Sequence, residues 1–543
     1  MQSVKAVVVR ATVLFAMMSG IAGQCQGLPK APGEVAWAIR YDPKTFDPAK
    51  VDEQASESVR FLTGGVLIRL NRHTQQPEPE LADSWKVSPD GRMISFHLRA
   101  GLKFSDGSSL TSRDVAWSLR RVLDAATAAP VADEFLAAKE VTVETPDALS
   151  VKVHLPKRVI GIENVFDEIA IEPADRPSEG RVTSGPFTVS DYKRGQYVRL
   201  SRNPNYWRRD AAGAKLPYLS GIRLDILNNR EKEVSLFQRG DYDLIDGLPP
   251  DYYGLLEKKN PHAVVDLGAS LNTEEMWFNQ APSAPLPDYE RAWFQNRSFR
   301  VAVSQAIHRA DLARIAYGGH ATPAYGFISP ANRAWHNDGL RYPGEDVAAA
   351  MRLLSEAGFH KSGSVLYDAG GHAVKFSILT NAGNAARQKI ATLIQQDLAA
   401  VGMQVTVVAL DFPALIERLM HKQDYDACLL GLSNVEPDPN TQMNVWLSSS
   451  PNHQWNPSEK VAATPWEAEI DKLMQEQATT LLQRNRKAAV DKVQQIVADE
   501  QPFIYLVYPN TLYAVSPRLS GVQPSVFQPG LVWNIAAIRQ GAQ

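Results

Sequence analysis

One stretch of the sequence gathers the side chains best suited to bind a polar organic molecule. It runs from Leu429 to Lys460 and reads LLGLSNVEPDPNTQMNVWLSSSPNHQWNPSEK. Aromatic rings supply stacking area, while carboxylates and amides supply a few oriented hydrogen bonds, and ligand pockets combine the two. We therefore predict a binding site whose candidate ligand-binding residues are Asn434, Glu436, Asp438, Trp446, Trp455 and, elsewhere in the chain, Asn279. The alternative interpretation is an ordinary polar loop with two tryptophans in the core.

The sequence lacks the motifs by which many enzymes are recognised. It contains no G-x-S-x-G, no P-loop, no G-x-G-x-x-G and no H-E-x-x-H. The 11 histidines are scattered, and His421, His453 and Glu436 do not have a spacing typical of a metal site. We therefore predict no catalytic residue, no metal and no cofactor. An exported hydrolase is the alternative function, but no nucleophile can be named for it.

Composition and charge narrow the class of protein. The chain has 543 residues, a formal net charge of -3 and 44% hydrophobic residues. These values are typical of a soluble globular protein with more than one domain. Binding to nucleic acid favours a basic stripe on the protein. The slightly acidic balance of this chain therefore predicts no nucleic-acid partner.

The first residues have the pattern of a secretory signal peptide. Lys5 and Arg10 precede the apolar run ATVLFAMMSGIAG, which is too short to span a bilayer. We predict a signal peptide over residues 1–23 and export to the periplasm. Cys25 stands where a bacterial lipoprotein carries its lipid, but Gln24 is a poor residue before such a site, so a lipid anchor is the less favoured alternative. The sequence alone does not decide whether Cys25 and Cys428 form a disulfide.

The elements that must position the site differ between the two halves of the chain. In the first half, Ile94, Phe96 and Leu98 alternate with polar residues, which predicts a half-buried strand. Thr111 and Asp114 have the spacing of a capping box, which predicts that a helix begins there. In the second half, helical segments alternate with the strands VKFSILT, QVTVVAL and DACLLGL, which predicts a βαβ sheet. The candidate site follows the last of these strands, so we expect it at the carboxyl edge of that sheet.

Several long motifs resemble those of extracellular solute-binding protein family 5, the oligopeptide- and dipeptide-binding receptors of ABC importers. The motifs are LADSWKVSPDGRMISFHLRAGLKFSDGSSLTSRDV, SGPFTVSDYKRGQYVRLSRNPNYW and DYDLIDGLPP. Further likeness lies in NRSFRVAVSQAIHRADLARIAYGGHATPAYGFISP and AAMRLLSEAGF. The resemblance therefore covers nearly the whole mature chain.

The resemblance implies an α/β, two-lobed periplasmic binding protein fold with an extra subdomain and hinge-linked lobes around a ligand cleft. Lobe I is expected from residues 28–64, 176–271 and 506–543, the extra subdomain from 65–175 and lobe II from 272–505. Hinge strands are expected near Ala174–Thr183, Ser270–Phe278 and Gln501–Tyr508. The apolar C-terminal segment VFQPGLVWNI is expected to pack on lobe I.

The function that the resemblance implies is capture of a peptide or similar polar solute between the lobes. The captured solute is then delivered to ABC transporter permease subunits in the inner membrane, and the receptor itself is expected to be a monomer. A nickel complex, haem, an opine or a sugar derivative is the alternative class of ligand.

The candidate loop departs from the pattern of the peptide-binding members. In these members a tryptophan and then an aspartate shortly precede the Asp-Pro that corresponds to Asp438-Pro439, and the aspartate pairs with the α-amino group of the peptide. Here Leu432 stands in place of the tryptophan and Val435 falls near the aspartate position. A buried ammonium without a partner costs several kcal/mol. Either Glu436 or Asp438 therefore replaces the lost carboxylate, or the ligand has no free amine.

Overall fold

The computed structural model describes residues 29–135, 141–159, 161–174, 176, 180–433, 437–480 and 482–541. The predicted signal peptide at residues 1–23, Cys25, Asn434 and Glu436 lie outside these ranges. Within the described part of the chain, no helix combines the length and the apolar character needed to cross a bilayer.

The strands and helices are numbered in chain order. The strands are β1 (Glu34–Ile39), β2 (Ile68–Leu70), β3 (Pro77–Pro79), β4 (Ala82–Val87), β5 (Met93–Leu98), β6 (Thr142–Glu144), β7 (Ser150–His154), β8 (Phe187–Lys193), β9 (Tyr197–Arg202), β10 (Gly221–Ile226), β11 (Leu244–Ile245), β12 (Val264–Ala269), β13 (Thr273–Phe278), β14 (Ala321–Pro323), β15 (His360–Ser362), β16 (Val365–Tyr367), β17 (Lys375–Asn381), β18 (Gln404–Leu410), β19 (Ala427–Leu432), β20 (Phe503–Val515), β21 (Leu519–Ser520) and β22 (Arg539–Gln540). The helices are α1 (Gln54–Thr63), α2 (Ser112–Leu123), α3 (Ile162–Val165), α4 (Arg230–Arg239), α5 (Pro250–Lys259), α6 (Asp288–Gln295), α7 (Arg297–Ala306), α8 (Arg309–Asp311), α9 (Val347–Glu356), α10 (Ala385–Ala400), α11 (Phe412–Ile416), α12 (Met443–Trp446), α13 (Pro465–Thr479) and α14 (Gln483–Glu500).

The first sheet has the strand order β1-β10-β9-β8, with β1 parallel to β10 and the other pairs antiparallel. Strand β1 is buried along its whole length, and a strand covered on both faces reads as a continuous apolar run. One face packs on α1 and on Leu531, Ile535 and Ile538, which confirms the predicted packing of the C-terminal segment. The other face packs on α4 and α5. We call this unit lobe I.

The second sheet, β4-β5-β7-β6, is antiparallel and packs on α2. Ile94, Phe96 and Leu98 of β5 are buried in this core, so the predicted half-buried strand is confirmed. The backbone N–H of Thr111 donates to Asp114 Oδ2 at 2.8 Å, so the predicted capping box is present at the start of α2. This region therefore provides a scaffold.

The third sheet has the order β11-β20-β13-β19-β17-β18, with β12 and β14 also paired to β20. Strands β17 and β18 are parallel and are joined by α10, which confirms the predicted βαβ arrangement. Met276 and Phe278 face one core together with α7, α9 and α10. Trp277 and Cys428 face the opposite core together with α12, α13 and α14. We call the unit built on these two cores lobe II.

Strand β20 belongs to both lobes. Its first part pairs with β13, and Tyr505 lies in a lobe II core. Its last part pairs with β11 and β12, and Tyr513 lies in a lobe I core. One continuous strand therefore runs from one lobe to the other. The expected Ala174–Thr183 hinge segment lies partly outside the described residues.

Candidate functional site

A cavity of about 830 Å³ lies where β20 passes from one lobe to the other. Its wall includes Trp37 and Asp246 on the lobe I side, Thr511 of β20, and Asn272 and Ser433 on the lobe II side. We call this space the cleft. Because Ser433 directly precedes residues 434–436, the predicted binding loop begins at the wall of the cleft.

Helix α1 presents one face to the cleft. Gln54, Glu57, Ser58 and Phe61 all line it, and a spacing of three or four residues places side chains on the same face of a helix. The helix begins there because the Glu53 carboxylate accepts from the N–H of Ser56 at 2.7 Å. This cap satisfies backbone donors that the first turn leaves without partners.

The positive charge of Arg60 at the cleft is already compensated. Its guanidinium makes two hydrogen bonds of 2.6 Å to the Glu57 carboxylate and donates to the carbonyl oxygen of Glu168, also at 2.6 Å. Burial alone would lower the pKa of Arg60, but the charge and hydrogen bonds of Glu57 outweigh burial and raise it. Arg60 is therefore a fixed cation that holds the wall together.

Asp246 lines the cleft, and the described part of the chain gives it no ion-pair partner. It follows the buried strand β11, and none of the ion pairs formed by the described residues includes it. The nearby Arg40 instead binds Glu233, with contacts of 2.7 and 3.0 Å. Burial raises the pKa of Asp246, against the opposing effects of the Arg40 charge and a hydrogen bond from the Gly247 N–H. The structure thus leaves a half-buried acidic group at the wall of the space that a ligand would occupy.

Asp438, one of the predicted ligand-binding residues, has an internal partner. Arg486 donates to both of its carboxylate oxygens, at 2.6 and 2.9 Å. The same carboxylate accepts from the N–H of Asn440 at 3.0 Å and so caps a short helical turn. Asp438 does not line the cleft. These contacts give it a role in supporting the loop, and contact with a ligand stays a prediction.

Trp446 and Trp455 lie inside lobe II. Their exposed fractions are 1% and 0%. The indole N–H of Trp446 donates to Gln442 and that of Trp455 donates to Glu467, at 3.2 and 2.8 Å. Neither ring lines the cleft. The structure therefore agrees with the alternative interpretation, in which both tryptophans are core residues beneath a polar loop. Stacking of either ring on a ligand stays a prediction.

Asn279 lies at the far end of β13 from the cleft. Asn272 reaches the wall just before the strand begins, and Asn279 directly follows its last residue. At about 3.3 Å per residue the two positions are roughly 20 Å apart. The Asn279 amide donates to the carbonyl oxygens of Gln423 and Tyr425, at 2.8 and 3.0 Å. These bonds fix a loop, and they place Asn279 outside the cleft.

The fold and the cleft define a class of protein: a two-lobed binding protein whose lobes are joined by a crossing strand. Residues 76–454 match the family described as "Bacterial extracellular solute-binding proteins, family 5 Middle". The chain belongs to this family. The family consists of binding proteins, and the predicted membership is confirmed.

Similar proteins support the same assignment. A probable ABC transporter-binding protein of Deinococcus radiodurans is 28% identical over 532 residues, which cover 88% of this chain and 87% of the relative. The oligopeptide-binding protein AppA of Bacillus subtilis is 24% identical, with 91% of this chain and 90% of the relative covered.

Solved structures share the fold. The ABC transporter substrate-binding protein CtaP of Listeria monocytogenes has a TM-score of 0.77 at 22% identity, over 94% of this chain and 99% of CtaP. AppA in complex with a nonapeptide has a TM-score of 0.66 at 22% identity, over 94% of this chain and 99% of AppA. The predicted α/β, two-lobed periplasmic binding protein fold is therefore confirmed.

Sequence reasoning missed Asp246 as a candidate. The residue lies in the motif DYDLIDGLPP, which contributes to the resemblance to the solute-binding family. A usable signal was present, because a carboxylate directly after a buried apolar strand lies at a strand end, where α/β folds bind ligands. What the motif could not reveal is that nearby Arg40 is already bound to Glu233.

Proposed function

We propose that this chain is the exported receptor of an ABC importer, and that it captures a peptide or similar polar solute in the cleft without altering it. The observation that carries the proposal is the cavity of about 830 Å³ between two lobes joined by β20. A cavity of this size is in the range that encloses small organic ligands. Peptide is favoured as the ligand because AppA, a relative along nearly its whole length, is named for oligopeptides and its structure holds a nonapeptide.

We also infer how the chain is divided and where it works. Lobe I comprises residues 28–64, 176–271 and 506–543, the extra subdomain 65–175, and lobe II 272–505. Separate hydrophobic cores in these regions support the division. The predicted signal peptide at 1–23 supports export to the periplasm. There we propose that the receptor acts as a monomer and delivers its solute to permease subunits in the inner membrane.

Asp246 is the residue we assign to the positive end of the ligand. Among the other acidic residues that line the cleft, Asp52 pairs with Lys44, Glu57 pairs with Arg60, and Glu53 accepts from the N–H of Ser56. A ligand ammonium loses water on entering the cleft, and a half-buried carboxylate without an ion-pair partner among the described residues offsets part of this cost. Asp246 would then take the place of the aspartate missing near Val435. We also keep the sequence-based candidates Asn434, Glu436 and Asp438 as proposed ligand-binding residues, since they follow Ser433 in the chain.

The test compares peptides with and without a free amine. A panel of peptides of two to nine residues is screened by thermal shift, since a ligand that binds the folded state raises its melting temperature. The best peptide and its N-acetylated form are then titrated by calorimetry into wild type and Asp246→Asn. We expect Asp246→Asn to weaken binding of the free-amine peptide by roughly 10- to 100-fold, the cost of a hydrogen bond to a charged group.

The matched control is Asp52→Asn, which removes a carboxylate from the same cleft whose charge is paired with Lys44 at 3.2 Å. We expect its affinity to stay close to that of wild type. Equal binding by Asp246→Asn and wild type would remove the assignment of Asp246. Failure of every peptide to shift the melting temperature would remove peptide as the ligand. Recovery of cleaved peptide would remove the proposed function itself.

A further inference from the structure

A second cluster of polar groups lies inside lobe II, away from the cleft. His453 and Glu459 stand in the loop between α12 and α13, and Glu467 stands in the first turn of α13. The exposed fractions of the three side chains are only 1%, 5% and 3%. One ligand atom from each lies within 4.8 Å of the others. None of the three lines the cleft.

The distances in this cluster fit a metal ion better than a hydrogen bond. His453 Nε2 lies 3.6 Å from Glu459 Oε1 and 3.6 Å from Glu467 Oε1. Hydrogen bonds between nitrogen and oxygen are about 2.7–3.2 Å long. Zinc bonds of about 2.0–2.2 Å to nitrogen and oxygen place neighbouring ligand atoms of a tetrahedron roughly 3.4 Å apart. The observed separations are close to that edge length.

The histidine is oriented as a metal ligand. Its Nδ1 lies 2.9 Å from the carbonyl oxygen of Val445. A carbonyl oxygen only accepts, so Nδ1 carries the proton and, in the neutral ring, Nε2 carries a lone pair. Nε2 has no hydrogen-bond partner among the described residues, and neither has Glu459 Oε1. A buried, unpartnered nitrogen thus points between two carboxylates.

Surrounding contacts hold both carboxylates in place. Glu467 accepts from the indole N–H of Trp455 at 2.8 Å and from the hydroxyl of Thr464 at 2.7 Å. Glu459 accepts from the N–H of Ala463 at 2.6 Å. Such hydrogen bonds behind the ligands fix their direction in metal sites.

The charge of the cluster calls for a cation. Two carboxylates that are ionised in a buried volume need a compensating positive charge. A divalent ion at the centre would neutralise both charges.

We propose that His453, Glu459 and Glu467 bind one zinc ion that fastens the loop between α12 and α13 onto α13. An imidazole nitrogen together with carboxylate oxygens suits zinc, whereas magnesium and calcium take ligand sets of oxygen alone. The loop carries Trp455, which packs in the lobe II core. The ion would therefore stabilise lobe II as a part of the protein, and it is not the transported ligand.

The test uses the tag-free exported chain, stripped with EDTA and then titrated with zinc chloride. We expect one zinc per chain to survive dialysis and the melting temperature to rise with zinc but not with magnesium. His453→Gln and Glu459→Gln should each weaken zinc binding by roughly 10- to 100-fold or more. The matched control is His372→Gln, an exposed lobe II histidine that also faces a carboxylate, Asp368, at 3.0 Å. It should bind zinc like wild type.

Two results would overturn the proposal. One is a wild-type chain that retains no zinc, in which case His453 is an imidazolium between the two carboxylates. The other is retention of zinc by His453→Gln and Glu459→Gln to the same degree as wild type. If both variants fail to fold, X-ray absorption of the zinc-loaded wild type decides, since the proposal requires one imidazole and oxygen ligands, and a spectrum without imidazole contradicts it. Peptide binding in the cleft is unaffected by either outcome.

Discussion

The acidic residues of this chain fall into two groups. Carboxylates bound by an internal partner support the structure, and carboxylates without one are open to a ligand. Asp438 is bound through both oxygens by Arg486, whose side chain is only 3% exposed. Arg486 also donates to the carbonyl oxygen and the side chain of Gln477. This network connects the loop after β19 to α13 and α14. Asp246, in contrast, has no ion-pair partner among the described residues and faces the cleft.

Replacing Asp438 should therefore cost stability. Asp438→Ala leaves a buried guanidinium without its carboxylate, and we expect the free energy of unfolding to fall by about 2–4 kcal/mol. Urea unfolding followed by circular dichroism measures the change. Asp338→Ala is the control, because that side chain is fully exposed at 100% and should change stability by less than about 0.5 kcal/mol. Unfolding of Asp438→Ala at the same urea concentration as wild type would contradict the supporting role.

Local pattern was enough to predict many of the elements, because their causes lie within a few residues. The alternation at Ile94, Phe96 and Leu98 and the capping box at Thr111 specify β5 and α2 directly. The binding site was harder to predict, because the residues that contact each other there are far apart in the sequence. The bond between Asp438 and Arg486 spans 48 residues, and no spacing rule reveals it. For the same reason Trp446 and Trp455 looked like ligand-binding aromatics, although helices α13 and α14 cover them.

The turn before α2 offers a test at the scale of an element. Asp106 accepts from the N–H and the hydroxyl of Ser108, at 3.0 and 2.6 Å, and from Arg176 at 2.8 Å. The Ser108 hydroxyl and the Arg176 charge hold the pKa of Asp106 down at about 2. A carboxyl whose pKa is lower when folded stabilises the fold above its unfolded pKa of about 3.9, and the contribution is lost as the pH falls toward 2.

We therefore expect Asp106→Asn to destabilise the protein by about 0.5–1 kcal/mol at pH 7, a small value because solvent screens this partly exposed group. The difference from wild type should shrink between pH 4 and pH 2. Urea midpoints of both proteins at pH 7 and pH 3 give the answer. A difference that stays constant or grows in acid would show that the carboxylate charge does not stabilise the turn.

At the scale of the whole molecule, β20 is the strand that we expect to link binding to a change of shape, because it pairs in both lobes. Tyr505 and Tyr513 of this single strand lie in the cores of different lobes. Between them, the four residues from Pro509 to Leu512 line the cleft. Hinge closure is the general motion of periplasmic binding proteins. A ligand that contacts both lobes shifts the population toward the closed form. The size of the shift is set by how much more tightly the ligand binds the closed form than the open form. We propose that Asp246 on one side and Ser433 on the other make such contacts, since both line the cleft.

The most direct test of closure on an unaltered ligand is small-angle X-ray scattering of the chain with and without the peptide selected by thermal shift, at a concentration that calorimetry shows to be saturating. We expect the radius of gyration and the maximum dimension to decrease on binding, and the peptide to be recovered intact. An unchanged scattering curve at full saturation would contradict the account, because the lobes would then hold their ligand without moving.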